Sequence, residues 1–172
     1  MNLLLEAPLP VSRRYQPQPS PLSQVVVTKR ILIADDDAAV RASLAAVLEL
    51  EGFVVDEAVD GIAAVKRVVE HKYDLVLLDL NMSRWDGWTA FIQMDWVLPL
   101  LPVIVITARP DQYGHAVRLG VDAFMEKPLD ISMLLEAIAT LVNEASARHI
   151  SRVTDRKFIT RCLPMRTKEF PQ

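Results

Sequence analysis

The sequence predicts an α/β fold, a doubly wound sandwich built on a five-stranded parallel sheet. Two observations predict it. Between residues 29 and 147, short apolar runs alternate with amphipathic stretches of helical spacing, five times over. The runs are apolar on consecutive residues, not on alternate ones, as expected of strands buried on both faces of a parallel sheet. Helices that alternate with such strands cover both faces through right-handed crossovers.

The first strand is Ile31-Leu32-Ile33-Ala34, which stops abruptly at Asp35-Asp36-Asp37. Val40, Leu44, Val47 and Leu48 then fall at helical spacing in an Ala-rich segment that ends at Gly52. Phe53 to Ala58 is a second strand, more polar and therefore nearer an edge. Gly61 to Glu70 is the second helix, and Leu75 to Leu78 the third strand, ending at Asp79. Trp88 to Met94 is a short third helix, followed by a proline-containing apolar stretch from Trp96 to Pro102. Val103 to Ile106 is the fourth strand and ends at Thr107; a fourth helix runs from Asp111 to Leu119 and stops at Gly120. Ala123-Phe124-Met125 is a short fifth strand before Lys127-Pro128, and Ile131 to Ala147 is a long final helix. The flavodoxin-like strand order 2-1-3-4-5 is the natural arrangement for such a chain.

Charge and proline divide the 172 residues into three parts. Residues 1–28 carry Pro8, Pro10, Pro17, Pro19 and Pro21 and read as an extended, flexible arm. Residues 29–147 hold 19 acidic and 10 basic side chains, a net of −9. Residues 148–172 hold seven basic and two acidic, a net of +5, and read as a basic tail with no separate domain. A basic tail can touch nucleic acid or anionic lipid. Here Pro164 and Pro171 interrupt it and no binding motif shows, which favours a solvated tail or one folded back on its own acidic domain.

The single cysteine, Cys162, excludes an internal disulfide framework and any multi-cysteine metal site. The three histidines are scattered without metal-ligand spacing. No apolar run approaches the ~20 residues of a membrane helix, and the start has no basic region followed by a long apolar one. A reducing cytoplasm is the expected compartment.

In an open α/β sheet the ligand crevice lies outside the carboxyl ends of the strands, where the strand order switches. That switch falls between the first and third strands. The first ends in Asp35-Asp36-Asp37, the third in Asp79, the fourth in Thr107, and Lys127 follows the fifth. Carboxylates, a hydroxyl and an ammonium group therefore converge on one edge. Crowded carboxylates need a compensating cation. Oxygen ligands without Cys or His select Mg²⁺ or Mn²⁺ over zinc. Thr107 and Lys127 offer donors for phosphoryl oxygens, and Asp79 stands where an anionic nucleophile would meet them. Singly each residue has a bland reading: a helix cap for the aspartates, a strand-end hydroxyl, a surface turn. Their joint placement is the argument.

Residues 30–147 resemble the receiver domain of two-component response regulators, CheY-like proteins. The matching segments are ILIADDDAAVRASL, DLVLLDLNM, DGW, PVIVITA and LGVDAFMEKP. The resemblance implies that Asp79 is the phospho-acceptor. It implies that Asp36 ligates Mg²⁺ directly, that Asp35 assists, and that the main-chain carbonyl of Asn81 adds a ligand. Thr107 would hydrogen-bond the phosphoryl group and Lys127 would pair with it. Thr107 and Phe124 would form the switch that carries the signal to the face of the fourth helix, fifth strand and fifth helix. The partners implied are a histidine kinase or histidine phosphotransfer protein, a downstream protein target and, in some members, a second copy held through that face. The domain would catalyse its own phosphorylation and dephosphorylation only. The tail of 25 residues is too short for an output domain, which gives the expectation of a stand-alone receiver.

This sequence departs from the family at Ser83, where proline is usual, and at Trp85, where a smaller apolar residue is common. Arg109, two positions beyond Thr107, can screen an acylphosphate from water. Three other functions compete: a phosphorylation-independent binding module, a regulator contacting nucleic acid through the basic tail, and a haloacid dehalogenase-type phosphatase. The intact aspartate, threonine and lysine set weighs against the first. Asn81, where that phosphatase class needs a second aspartate, weighs against the last.

Overall fold

The computed structural model describes residues 28–144 and 160–163. The Pro-rich arm, the end predicted for the last helix and most of the basic tail lie outside the described residues. Six strands form one parallel sheet: β1 (Arg30–Ala34), β2 (Val54–Ala58), β3 (Leu75–Asp79), β4 (Val103–Thr107), β5 (Ala123–Glu126) and β6 (Arg161–Leu163). Their order is β2-β1-β3-β4-β5-β6. The predicted 2-1-3-4-5 core is present, and a sixth strand extends it. That strand went unpredicted because Arg161-Cys162-Leu163 is too short and too polar to register as an apolar run.

Among the described residues, five helices alternate with the strands: α1 (Ala38–Leu50), α2 (Gly61–Glu70), α3 (Gly87–Val97), α4 (Tyr113–Leu119) and α5 (Ile131–Asn143). Alternate residues of each strand face opposite sides, so the sheet separates two cores. On one side, Leu32, Val76, Leu78, Val105 and Phe124 pack against Val68 of α2, Phe91 and Met94 of α3, and Ala116 of α4. On the other, Ile31, Ile33, Leu77, Ile104 and Met125 pack against Leu44 and Leu48 of α1 and Leu134, Ile138 and Leu141 of α5. β3 and β4 are buried along their whole length, whereas β2 is half-buried, as its polar composition requires of an outer strand.

Helix starts are marked by aspartate. Asp37, Asp60, Asp86 and Asp130 each accept a hydrogen bond from a backbone N–H in the first turn of α1, α2, α3 and α5, satisfying donors that have no partner within the helix. α4 lacks such a cap and starts at Tyr113, not at Asp111. The reason is local: Asp111 has φ 59, a left-handed conformation that cannot enter a right-handed helix.

Gly87 joins the fold to the carboxyl edge. A Cβ there would lie 2.2 Å from the carbonyl oxygen of Asp79 and 2.7 Å from Cα of Leu80. Both are backbone atoms that cannot swing aside. The first turn of α3 thus rests on the end of β3, with Gly87 N–H donating to Leu80 O at 3.2 Å. Gly87→Ala is expected to destabilise the fold by about 3 kcal/mol, at the upper end for overpacking, read as a lower urea midpoint at unchanged slope.

Candidate functional site

The site is assembled from strand ends. Register places Ala34 beside Leu78 and Asp79 beside Ile106, so the residues after β1, β3 and β4 emerge at one edge. Asp35, Asp36 and Asp79 come together there: one carboxylate oxygen from each lies within 4.8 Å of the others. Asp35 and Asp79 are only 3% and 4% exposed, whereas Asp36 faces solvent. Lys127, carried in from β5, donates to Asp35 Oδ2 at 2.8 Å and lies 3.6 Å from Asp79 Oδ2. The Lys127–Pro128 peptide is cis, and Lys127 N–H donates to Thr107 O at 2.7 Å, which ties the end of β5 to the end of β4.

Like charges this close, out of water, are costly, and the titration of the groups reflects it. Burial pushes the Asp79 carboxyl above its ordinary value; the charge on Lys127 pulls the other way without cancelling it, and the negative charge on Asp35 adds to the rise. Burial alone would lower Lys127. The hydrogen bond to Asp35 and the charges of Asp79 and Asp35 outweigh burial and raise it, so the ammonium form is secured.

The remaining predicted residues fall as follows. Thr107 closes β4, fully buried, its Oγ1 accepting from Arg109 N–H at 2.9 Å. Phe124 is buried on β5 two positions before Glu126, which pairs with Thr107 in the ladder; its ring lies 5.9 Å from that of Tyr113. Asn81 is exposed, and its side-chain oxygen accepts from the guanidinium of Arg109, which also lies 3.9 Å from Asp86. The Arg109 side chain thus bridges the loops after β3 and β4. Asp37 takes the bland role weighed for all three aspartates: it caps α1, through Ala39 N–H at 2.8 Å. Trp85 packs over Gly61 at the start of α2, so loop packing is its observed role.

Arg41 is a site residue that sequence reasoning missed. It is buried on α1, donates from a terminal nitrogen to the Asp35 carbonyl at 2.8 Å, and pairs with Glu57 at 2.9 Å. It fixes the backbone of the acidic loop. The signal was there: Arg41 stands three residues before Leu44 and seven before Leu48, a charge on the stripe that must face the core.

The residues fit a hard divalent cation. All three donors are carboxylates, and Asp79 Oδ1 is buried with no hydrogen-bond partner, an acceptor left for a cation or an electrophile. A groove of about 1000 Å³ opens at the opposite edge of the sheet, lined in part by Val68, Tyr73, Val97 and Leu101. The chemistry-bearing groups gather at the carboxyl edge, not there.

Comparison with known proteins agrees with this geometry. The family model "Response regulator receiver domain" matches residues 31–139. The chain is similar to the transcriptional regulatory protein PdtaR of Mycobacterium tuberculosis (strain ATCC 25618 / H37Rv), 38% identical over 128 residues, 73% of this chain and 62% of PdtaR. It is 35% identical over 119 residues to the response regulator MprA of Mycobacterium sp. (strain KMS), covering 68% of this chain and 52% of MprA. The chain thus spans between about half and two thirds of these relatives' length. Among solved structures it is similar to the response regulator protein TrrA from Thermotoga maritima in complex with Mg²⁺-BeF, at 28% identity and a TM-score of 0.63, over 66% of this chain and 99% of that one. A two-component response regulator from Clostridium difficile matches at 30% identity and a TM-score of 0.62, over 68% and 100%.

A prediction follows from the burial of Asp79. Its folded value lies above the ordinary 3.8, so folding favours the protonated carboxyl. That contribution is complete below the ordinary carboxylate range and is lost as pH rises through the raised value. At neutral pH the ionised side chain therefore weighs against the fold. Asp79→Asn, a neutral near-isostere, is expected to stabilise the protein at neutral pH by about 1 kcal/mol. The gain should shrink as pH falls toward the carboxylate range. Urea midpoints of both proteins at neutral and mildly acidic pH check this.

Proposed function

The chain belongs to the response regulator receiver family, and from that premise we propose that it accepts a phosphoryl group on Asp79 from the phosphohistidine of a histidine kinase or histidine phosphotransfer protein. The observation that carries the reading is the gathering of Asp35, Asp36 and Asp79 within 4.8 Å of one another, with the Lys127 ammonium against Asp35 and Asp79 and with Asp79 Oδ1 unpartnered. Asp35, Asp36, Asp79 and the main-chain carbonyl of Asn81 are the groups that would hold Mg²⁺ (or Mn²⁺). When bound, the ion supplies neutralisation of charge on the transferring phosphoryl oxygens.

The chain's own residues do the rest. Asp79 presents a carboxylate oxygen to phosphorus; the P–O bond forms as the P–N bond to the donor imidazole breaks, and the imidazole leaves with the electron pair. Lys127 pairs with a phosphoryl oxygen and Thr107 donates its hydroxyl to another. Asp35 orients Lys127 through their 2.8 Å hydrogen bond, and Arg41 orients Asp35. Positioning and charge neutralisation account for most of the catalysis in such transfers. Turning toward the phosphoryl group, Thr107 leaves space that Phe124 enters, and the face formed by α4, β5 and α5 changes for a downstream protein. The phosphoryl state shifts that equilibrium only by its different affinity for the two arrangements. The site of action is the cytoplasm, in keeping with a lone cysteine and with no helix among the described residues long and apolar enough to cross a membrane.

Incubation with acetyl phosphate and Mg²⁺ is expected to add one phosphoryl mass to the intact protein; Asp79→Asn or a chelator should abolish it. Loading of Asp79→Asn to the wild-type extent would sink the reading. Arg109 gives a second test. Its side chain bridges Asn81 and Asp86, in the loop that follows Asp79, and from there it obstructs water approaching the acylphosphate. Arg109→Ala is expected to speed dephosphorylation about tenfold, near 1.4 kcal/mol of barrier. Loss of phosphoryl mass with time after acetyl phosphate is removed measures it.

A further inference from the structure

β6 lies where an open strand edge would otherwise be. Without it β5 would end the sheet with a row of unpaired N–H and C=O groups, a template for any extended chain. In this protein the row is covered from within. Arg161, Cys162 and Leu163 pair in parallel with Ala123, Phe124 and Met125, and Arg161 N–H donates to Asp122 O at 3.1 Å. Thr160 is fully buried; its hydroxyl donates to Ala116 O of α4 at 3.4 Å, and its own carbonyl accepts from the Tyr113 hydroxyl at 3.4 Å. The Arg161 guanidinium pairs with Glu144 just beyond α5. Four residues thus touch α4, β5 and the end of α5 together.

The cover is attached to the switch position. Cys162 sits in register with Phe124, and the Phe124 ring rests against Tyr113, whose hydroxyl holds Thr160. The attachment is also short: three residue pairs, the Arg161–Asp122 backbone bond, two 3.4 Å hydrogen bonds and the Arg161–Glu144 ion pair, followed by a proline at position 164 that cannot donate to a continuing ladder.

We propose that Thr160–Leu163 is an intramolecular occupant of the β5 edge, and that phosphoryl transfer to Asp79 releases it. The second half rests on the function proposed above. When Phe124 moves toward Thr107, Tyr113 loses the ring against which it is placed, and its long bond to Thr160 breaks. The freed edge then takes an extended strand from outside, the usual mode of recognition at an open sheet edge. The signal leaves the domain as the exchange of one strand for another.

Backbone hydrogen exchange on the full chain, with phosphoryl loading followed by intact mass on the same samples, tests both halves. Occupancy is tested without phosphate. Arg161→Pro removes the N–H that bonds Asp122 and is expected to speed exchange across residues 123–126 about tenfold. Tyr113→Phe, which removes only the hydroxyl, should do so more weakly. Unchanged exchange in both variants overturns occupancy. Protection of 123–126 that disappears on dilution also overturns it, because the strand would then come from a second copy. Coupling is tested with acetyl phosphate and Mg²⁺. Exchange at residues 161–163 and 123–126 should rise about tenfold in the loaded protein and stay unchanged in Asp79→Asn. Full loading with slow exchange retained overturns the coupling alone and leaves the phospho-acceptor reading standing. Failure to load overturns that reading and the coupling with it, while the Arg161→Pro comparison still decides occupancy. Arg161→Pro should itself load as wild type.

Discussion

The interaction on which the rest depends is Lys127 between two buried carboxylates. Asp35 and Asp79 sit at the ends of adjacent strands, nearly out of water, and burial together with the charge on Asp35 disfavours ionisation of Asp79. An isolated pair of this kind would titrate away one charge or push the strands apart. A single ammonium group, 2.8 Å from one and 3.6 Å from the other, holds them in place. It reaches them from the end of β5, two strands from β3 on the far side of β4, where Lys127 N–H is anchored on Thr107 O. Four neighbouring strands, β1, β3, β4 and β5, are therefore what this electrostatic arrangement is built from.

That constraint explains why the supporting contacts are mostly backbone contacts. The Arg41 guanidinium binds the Asp35 carbonyl, and Asp37 N–H donates to Asp35 Oδ1 at 2.9 Å. Leu80 N–H donates to Ile106 O, and Gly87 closes on the Asp79 carbonyl. In a low-dielectric site a given misplacement of a charged group costs more attraction to its partner than the same misplacement would in water. Main-chain anchoring holds strand ends more tightly than long side chains in water could. The side-chain bridge from Arg109 to Asn81 and Asp86 lies outside the buried cluster.

Legibility in the sequence followed burial. Ile31–Ala34, Leu75–Leu78 and Val103–Ile106 are apolar because both faces of their strands are covered, so the central sheet could be read residue by residue, and the acidic and basic strand ends with it. The polar second strand was legible as an outer one for the same reason. Three features escaped. The start of α4 depends on a left-handed Asp111, a backbone state that periodicity does not encode. Arg41 was passed over because a charge on an apolar stripe shows its purpose only when its partner, Glu57 on another strand, is seen beside it. β6 was illegible because its stability comes from the open edge of β5 and from Thr160, Tyr113 and Glu144, not from any hydrophobicity of its own.

The opposed charges of the two segments acquire a physical sense from that strand. Residues 29–147 carry a net of −9 and residues 148–172 a net of +5. Attraction between them acts over about a Debye length, 8–10 Å at ordinary ionic strength, enough to keep a loosely paired strand near its edge without locking it there. Arg161 against Glu144 is the point where this general attraction becomes a specific contact. A longer or more apolar sixth strand would have become a permanent member of the sheet and closed the face between α4 and α5. A neutral one would have drifted off. Three residues, one of them a paired arginine, with proline next in sequence, lie between those limits, which is the condition an exchangeable strand has to meet.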